Sequence, residues 1–537
     1  MPPPQPPQPA RYSRREALRL GVGAVGAAFF VACGGDELPA PPSAPRLSLI
    51  DRYARESGER GGVLRLGTVR GMGRSETAWP FIYSPLLGLD PRSNLMYGDL
   101  AATLELRDPL TLAITLRPEL RFHPDERSLA AALTSDDVRR EFETRAAAGE
   151  FVFSEVVERV ETPDFATLVL HLRAPFGLLI DTLADARAAG IRSEARSPVT
   201  GEPLGSGPFV TALRELAGDA LGRNELYHHN GYPLLDGVSL LEVEDELALT
   251  EAFVAGDIDH LDGVVEYAPE GQVVLERPGF GMLGLGLSLL GEKAGQRVRF
   301  VAPFQDGRVR RALSMAIDRV DLAERFDGSV SGPVGPAHRA DALPDTELAA
   351  DPLYTHDPEE ARRLLDAAGA SDLAIRIQTP TDERPRALAK ALEEQLNDGG
   401  FDALLLVQEP RDWGRAFDAG DFETTVLDLT DLATPDLGLR LHSSTGIDGA
   451  FSPWGYSNPR YDSAVRDALG EIDPSLRAER SRAAQRLLLD DVPAMFPLVV
   501  PTERVSLRRA LAGFEFDAYR FNDGWLAPRW SLTRSGR

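Results

Sequence analysis

Two adjacent histidines, His228 and His229, are the residues whose types and spacing most directly suggest chemistry. Imidazole nitrogens are common ligands of transition metals, so the pair could contribute to a metal site. A metal site needs three or four converging ligands, however. The alternative is that both are exposed polar residues beside Asn230 and Gly231. We favour the exposed interpretation and predict no metal and no other cofactor.

Motifs of common hydrolases and nucleotide-binding enzymes are absent from the sequence. It contains no His-Glu-x-x-His zinc helix, no Gly-x-Ser-x-Gly nucleophile elbow and no P-loop. Acidic pairs are expected by chance among 83 carboxylates, and we interpret Asp136-Asp137 as a helix cap and Asp490-Asp491 as a solvated helix end. The sequence therefore predicts a protein that is not an enzyme.

Length, charge and cysteine content exclude several classes of protein. The chain has 537 residues, too many for one ordinary core, so two or more lobes are expected. Its net charge of −25 argues against nucleic acid as a partner, because a polyphosphate would be repelled. The single cysteine, Cys33, excludes an intrachain disulfide and a cysteine-based zinc site.

The first 32 residues have the pattern of an export signal. A stretch with four arginines precedes the apolar run from Leu20 to Ala32. Thirteen helical residues reach about 20 Å, short of the roughly 30 Å hydrocarbon core, so the run is too short to span a membrane. The segment from Ser13 to Arg19 resembles a twin-arginine export motif, with Ala17 in place of the usual phenylalanine. The general secretory route remains the alternative.

Cys33 follows this run in the sequence Phe30-Val31-Ala32-Cys33, which resembles the lipobox of bacterial lipoproteins. The resemblance implies that Cys33 is acylated and becomes the new N-terminus, which would anchor the chain stably in a membrane. A buried free cysteine is the alternative. Residues 33–60, rich in Pro, Gly, Ser and charge, are interpreted as a lipidated tether. We expect an exported protein on the periplasmic or cell-surface face of a bacterial membrane.

The remaining chain reads as an α/β protein. Residues 63–69, 111–117 and 167–173 have the alternation of strands, and Thr134 followed by Asp137 predicts a helix start between the last two. Residues 372–379, 383–398 and 401–407 read as strand, amphipathic helix and strand, which predicts a parallel pair.

From about Gly61 onward, several short segments resemble the extracellular solute-binding protein family 5, the peptide- and nickel-type substrate-binding lipoproteins of ABC importers. The segments occur in the family's order, and their agreement in register over roughly 470 residues makes the resemblance specific. They are 61–68, 111–123, 133–138, 205–209, 223–227, 255–259, 309–318, 357–369 and 456–462.

The resemblance implies a two-lobed, periplasmic-binding-protein-like fold that closes at a hinge, with a discontinuous first lobe. Lobe I would span 61–270, with 498–537 returning to it, and lobe II would span 271–497. The implied function is a monomeric receptor that delivers a small solute, for instance an oligopeptide, to the permease subunits of an ABC importer. A lipid-anchored hydrolase and a chemosensory or scaffolding protein on the same fold are the alternatives.

The resemblance also implies ligand-binding residues. Asp431 falls on the aspartate that pairs with a peptide's α-ammonium group in peptide-binding relatives, and Trp413 matches a tryptophan presented to ligand side chains. Asp428 stands where the family often has a second tryptophan, so one stacking platform is missing. Thr430, in the same loop, and Arg70, directly after the first strand, complete the predicted contacts.

Overall fold

The computed structural model describes most of the chain after residue 45. The described residues are 46–53, 58–70, 74–90, 93, 95–124, 130–197, 201–211, 220–265, 271–289, 292–293, 296–297, 302–429, 432, 434–446, 452–508, 510–516 and 523–533. The predicted export signal, Cys33 and the first part of the predicted tether lie outside these residues. In the described ranges no helix is both long and apolar enough to cross a membrane.

Strands are distributed along the whole described chain. They are β1 (Arg46–Leu47), β2 (Val63–Val69), β3 (Leu87–Leu89), β4 (Met96–Gly98), β5 (Ala101–Asp108), β6 (Thr111–Leu116), β7 (Val157–Asp164), β8 (Thr167–Leu172), β9 (Phe209–Thr211), β10 (Ala220–Arg223), β11 (Gly237–Val243), β12 (His260–Asp262), β13 (Gln272–Pro278), β14 (Met282–Leu287), β15 (Glu292–Lys293), β16 (Gln296–Arg297), β17 (Gly328–Val330), β18 (Leu373–Pro380), β19 (Phe401–Gln408), β20 (Thr424–Leu429), β21 (Met495–Arg508), β22 (Leu511–Ala512) and β23 (Ser531–Leu532).

Helices are concentrated in the second half. They are α1 (Arg74–Ile82), α2 (Ser135–Ala147), α3 (Leu179–Ala184), α4 (Ala186–Ala189), α5 (Glu246–Ala255), α6 (Ala302–Gln305), α7 (Gly307–Ala316), α8 (Arg319–Arg325), α9 (Asp345–Ala350), α10 (Pro358–Ala368), α11 (Glu383–Asp398), α12 (Pro410–Ala419), α13 (Pro435–Leu441), α14 (Pro459–Leu469) and α15 (Pro474–Asp490). The mixture of helices with parallel and antiparallel strands confirms the predicted α/β class.

One large sheet has two halves that share a single long strand. Its order is β19-β18-β20-β14-β21-β12-β2-β11-β10-β9, and β13 and β17 also pair with β21. The first half of β21 pairs with β14 and β17, and its second half pairs with β12 and β13. Gly279, between β13 and β14, donates its N–H to the Pro501 carbonyl at 2.9 Å. The chain therefore passes between the two halves at two neighbouring segments, 279–281 and 501–502.

The predicted strand–helix–strand unit is present in one half of this sheet. β18 and β19 are parallel in the register Leu373↔Phe401 to Pro380↔Gln408. The helix between them, α11, buries Leu388, Leu392 and Leu396, the side chains that the helical spacing placed on one face. Gly400, with a φ of 93°, follows the helix where a left-handed residue is needed.

A second, antiparallel sheet has the order β1-β5-β6-β8-β7. Leu112 pairs with Leu170 and Ile114 with Leu168, and all four side chains are buried, as their alternation predicted. The Asp137 carboxylate accepts the Thr134 N–H at 2.8 Å and the Thr134 hydroxyl at 2.9 Å at the start of α2, so the predicted cap is confirmed.

The turn between α14 and α15 contacts the antiparallel-sheet region. Ile472 is buried in the core of that region, and the Gly177 N–H donates to the Leu469 carbonyl at 2.6 Å. Beside this contact lies a buried ionic cluster of Arg477, Asp181 and Asp341, which we call the Arg477 triad. The Arg477 guanidinium pairs with both Asp181 oxygens, and its Nε lies 3.5 Å from Asp341 Oδ1.

The triad should make stability depend on pH. Burial raises the pKa of Asp341 from 3.8 to about 6, and although Arg477 opposes the shift, the Asp181 charge adds to it. Between these two values the folded chain binds more protons than the unfolded chain, so the free energy of unfolding falls as the pH rises. Asp341→Asn removes this titrating group. As the pH rises from about 4.5 to about 7.5, we expect the free energy of unfolding of the variant to increase by about 2 kcal/mol relative to that of the unsubstituted chain.

Urea unfolding at several pH values measures this difference. Asp490→Asn, at an exposed position at the end of α15, is the matched control and should leave the pH profile unchanged. A pH-independent difference between Asp341→Asn and the unsubstituted chain would contradict the expectation.

Candidate functional site

Three strands of the large sheet end at one edge, near which two of the predicted ligand contacts, Asp428 and Trp413, lie. β18 is parallel to both β19 and β20, so the carboxyl ends of all three strands lie on the same side. In open α/β sheets, ligands bind in the crevice beyond these ends. Asp428 lies near the end of β20, and Trp413 lies on α12, which follows β19. This edge is the candidate solute site in this half of the sheet.

Asp428 is already paired within the fold. Its two carboxylate oxygens accept the Nε and Nη2 hydrogens of Arg384 at 2.7 and 2.6 Å. Arg384 belongs to the first turn of α11, directly after β18. A bidentate pair of this kind neutralises the carboxylate and fixes its orientation. The position that often carries tryptophan in the family therefore presents an arginine–carboxylate pair.

Trp413 is half-buried and anchored to neighbouring side chains. Its Nε1–H donates to Thr425 Oγ1 at 2.9 Å, and its ring stacks on Phe417 with centroids 5.5 Å apart. Phe417 in turn contacts Phe422 and Trp454. The indole is thus held by packing on one side. A contact between Trp413 and a ligand stays a prediction.

Trp413 and Asp428 approach opposite faces of β20. Side chains alternate along a strand, so Thr425, which Trp413 contacts, points away from the face that carries Asp428. The packing of the neighbouring residues supports this assignment. Val426, on the Asp428 face, is buried with the side chains of α11, whereas Leu427, on the Thr425 face, is buried with Trp454. The structure does not bring these two predicted contacts together on one face, and a ligand could reach both only around the end of the strand.

Thr430 and Asp431 lie outside the described residues. Their described neighbours lie next to the segment that connects the two halves of the sheet. Leu429 pairs with Met282, and the Leu432 N–H donates to the Phe280 carbonyl at 2.7 Å. The predicted contacts of Thr430 and Asp431 with a ligand stay predictions.

Arg70 belongs to the other half of the sheet, just after β2. Its Nε donates to Glu242 at 3.1 Å and its Nη1 to Glu244 at 2.9 Å. β2 and β11 are parallel, which places the two glutamates beside Arg70 at the carboxyl ends of these strands. The guanidinium is exposed but already faces two carboxylates. Its predicted contact with a ligand also stays untested.

His229 is buried and His228 is half-buried, so the prediction that both are exposed was wrong. His228 and His229 lie in the loop between β10 and β11, and each places Nε2 close to Oδ1 of Asp99, at 3.0 and 2.8 Å. Asp99 follows β4 and its side chain is completely buried. Tyr53 stacks on His229 with ring centroids 3.7 Å apart, and the Tyr227 hydroxyl lies 3.4 Å from Asp99 Oδ1. We call Asp99, His228 and His229 the Asp–His cluster.

Burial and charge oppose each other in the Asp–His cluster. Burial acts to raise the pKa of Asp99, but His228 and His229 hold that pKa well below its usual range. Burial lowers the pKa of His229 to about 4, although Asp99 acts in the opposite direction. The three residues share no local sequence pattern, since 129 positions separate Asp99 from His228, and only the fold brings them together.

Comparison with known proteins assigns the family. The sequence profile described as bacterial extracellular solute-binding proteins, family 5 Middle, matches residues 96–447. Di/tripeptide-binding protein 1 of Pseudomonas aeruginosa is 24% identical over 43% of this chain and 45% of its own length. Glutathione-binding protein GsiB of Pectobacterium atrosepticum is 24% identical over 82% of this chain and 87% of its own length.

A solved structure shows the same fold. The periplasmic murein tripeptide binding protein MppA, in its unliganded open form, has a TM-score of 0.74 and 18% sequence identity, and the match covers 89% of this chain and 99% of that one. The predicted two-lobed fold with a discontinuous first lobe is confirmed. Since the family profile matches well over half of the sequence, this chain belongs to the bacterial extracellular solute-binding proteins, family 5.

Proposed function

We propose that this chain is the solute receptor of an ABC importer and that its solute is peptide-like. The observation that carries the proposal is the family match, which includes strands from both halves of the large sheet. Within the described residues the chain crosses between these halves along β21 and the β13–β14 segment, and the Arg477 triad is a further contact between the assigned lobes. Such a construction permits hinge closure around a solute. Relatives named as di/tripeptide-, glutathione- and murein tripeptide-binding proteins favour a small peptide as the ligand.

The proposed lobe boundaries can be compared with the change of strand pairing along β21. We assign lobe I to 61–270 together with 498–537, and lobe II to 271–497. In β21, the residues up to Pro501 pair with β14 and β17, and those from Thr502 pair with β13. The pairing supports a crossing about four residues after the boundary at 497/498. The other crossing, at 279–281, lies about nine residues after the boundary at 270/271, so β13 pairs with the part of β21 assigned to lobe I.

Asp431 is proposed as the anchor for the ammonium group of the solute. It is the acidic residue that matches the amine-binding aspartate of peptide-binding relatives. Asp428 cannot supply the same charge freely, because Arg384 already occupies both of its oxygens. Trp413 and Thr430 would line the same lobe, and Arg70 the opposite one.

Anchoring through an acylated Cys33 is the proposed link to the membrane. The sequence Phe30-Val31-Ala32-Cys33 supports it, and so does the short apolar run before it. The twin-arginine and general secretory routes would both deliver the chain to the outer face, where monomeric receptors meet permease subunits. Cys33→Ser should release the protein from membranes, and firm binding of the processed variant in high salt would contradict the anchor.

A hydrolase on the same fold is the competing function, and mass spectrometry separates the two. The full chain should carry a noncovalently bound amine-containing solute through purification and release it chemically unchanged on denaturation. Incubation of the protein with that solute should leave its mass unaltered. Conversion of the solute would favour the hydrolase, and a chemosensory protein would bind the solute without a cognate permease.

A further inference from the structure

The Asp–His cluster combines three donor atoms of two kinds in a closed setting. Its ligand atoms, one from each of Asp99, His228 and His229, all lie within 4.8 Å of one another. Asp99 and His229 are buried, and His228 is partly exposed at the edge. None of the three is among the predicted solute contacts. From this geometry we propose that Asp99, His228 and His229 form a binding site for a divalent transition-metal ion, with Zn²⁺ as the best-matched ion.

The distances from Asp99 to the two histidines fit a metal with little movement. A tetrahedral zinc ion with ligands at about 2.0–2.1 Å places neighbouring ligand atoms about 3.3 Å apart. Asp99 Oδ1 is already 2.8 Å from His229 Nε2 and 3.0 Å from His228 Nε2. These two separations therefore have to lengthen by only about 0.3–0.5 Å, with the imidazole protons on Nδ1, to admit the ion. The third separation, between the two histidine donors, lies within 4.8 Å.

The carboxylate gives a second, independent indication. Asp99 Oδ2 is buried and has no hydrogen-bond partner among the described residues. Leaving a buried carboxylate oxygen unsatisfied is costly. The nearby Arg117 guanidinium does not bind Asp99 Oδ2. It donates instead to the backbone carbonyl oxygens of Gly98 and Asp99, at 2.9 and 2.7 Å. A cation held by both carboxylate oxygens would supply the missing partner of Oδ2.

The surrounding aromatic side chains suit a metal ligand shell. Tyr53 covers one face of His229, and the Tyr227 ring lies 4.4 Å from the His228 ring, centroid to centroid. Both rings restrict the orientation of the imidazoles and exclude water from the cluster. Two imidazoles and one carboxylate favour Zn²⁺ over Mg²⁺ or Ca²⁺, which prefer oxygen ligands.

The site would join two parts of the fold. Asp99 lies between β4 and β5, next to the antiparallel sheet, and the histidines lie between β10 and β11 of the large sheet. A metal held by both would fasten these loops together without contacting the proposed solute. Its role is structural and is independent of whether the ligand is a peptide.

Zinc titration of the full chain, purified without an affinity tag and stripped with EDTA, tests the proposal. An excess of Mg²⁺ occupies exposed carboxylate sites, which this acidic chain has in abundance, while competing poorly for imidazole. We expect one equivalent of Zn²⁺ to bind, to raise the melting temperature and to be removed by EDTA. Co²⁺ in its place should give the visible absorption of a tetrahedral site with nitrogen and oxygen ligands.

Single substitutions connect the signal to the cluster. His228→Gln, at the partly exposed edge, should weaken Zn²⁺ affinity at least tenfold, as should Asp99→Asn. His356→Gln, which changes an exposed histidine outside the cluster, is the matched control and should bind as the unsubstituted chain does. The proposal would be overturned if the unsubstituted chain bound no Zn²⁺, or if His228→Gln bound Zn²⁺ with the same affinity. The cluster would then be two histidines hydrogen-bonded to Asp99 and no metal site. If Asp99→Asn does not fold, His228→Gln and the Co²⁺ spectrum decide.

Discussion

Replacing Arg477 with methionine should lower the free energy of unfolding by about 3–5 kcal/mol at neutral pH. The Arg477 guanidinium is the cation that faces Asp181 and Asp341, and all three side chains are at least nine-tenths buried. Methionine keeps much of the side-chain volume but removes the charge. The Asp181 and Asp341 carboxylates would then be buried close together without the Arg477 charge. Removing one partner of a buried ion pair is strongly destabilising, because the remaining charge is left uncompensated.

Urea unfolding, followed by circular dichroism, measures the loss. Arg480→Met is the matched control, because Arg480 lies on the same helix, is half exposed and pairs with Glu471 at 2.8 Å. An exposed pair contributes about 0–1 kcal/mol, so this variant should unfold almost as the unsubstituted chain does. If Arg477→Met and Arg480→Met lose the same free energy of unfolding, the Arg477 triad does not contribute the predicted stability. Adding Asp181→Asn and Asp341→Asn to Arg477→Met should recover much of the stability.

Asp431→Asn should weaken binding of an amine-bearing solute by about 2–4 kcal/mol. The proposed ion pair between the Asp431 carboxylate and the solute's ammonium group would be partly desolvated, and the ammonium would be left without its partner in the variant. The free energy of unfolding should change by less than about 1 kcal/mol, because a polar residue in a cleft supports little packing. Calorimetric titration with the solute identified by mass spectrometry provides both affinities.

Asp421→Asn is the control for this substitution. Asp421 is exposed just before β20, at the opposite end of the strand from Asp431, and it should not affect binding. An affinity ratio within about twofold, roughly 0.4 kcal/mol, for Asp431→Asn would contradict the ammonium anchor. That result would favour a neutral or sugar-like solute, in keeping with the missing tryptophan at Asp428.

Local patterns allowed much of the fold to be predicted, because the physics that fixes them acts within a few residues. Asp357 caps α10 by accepting the Glu360 N–H at 2.8 Å, and Asp473 caps α15 in the same way through Ser475. Both were recognisable from an aspartate followed by proline at a helix start. The parallel pair β18 and β19 followed from two apolar strands around an amphipathic helix.

The rest depended on contacts between distant parts of the chain. The Asp–His cluster joins residues 129 positions apart, and Arg477 meets Asp181 across 296 positions. No period or spacing in the sequence indicates such contacts, which is why the histidines were predicted to be exposed. The resemblance placed both Trp413 and Asp428 among the ligand contacts, but strand alternation in the folded β20 separates them onto opposite faces.

Small-angle X-ray scattering with and without the identified solute tests most directly whether two lobes close over a ligand. The chain crosses between the halves of the large sheet only at 279–281 and 501–502 within the described residues, and these segments are the proposed hinge. Saturating solute should reduce the radius of gyration, and removing it should restore the larger value. Saturable binding that leaves the radius of gyration unchanged would contradict closure by these lobes.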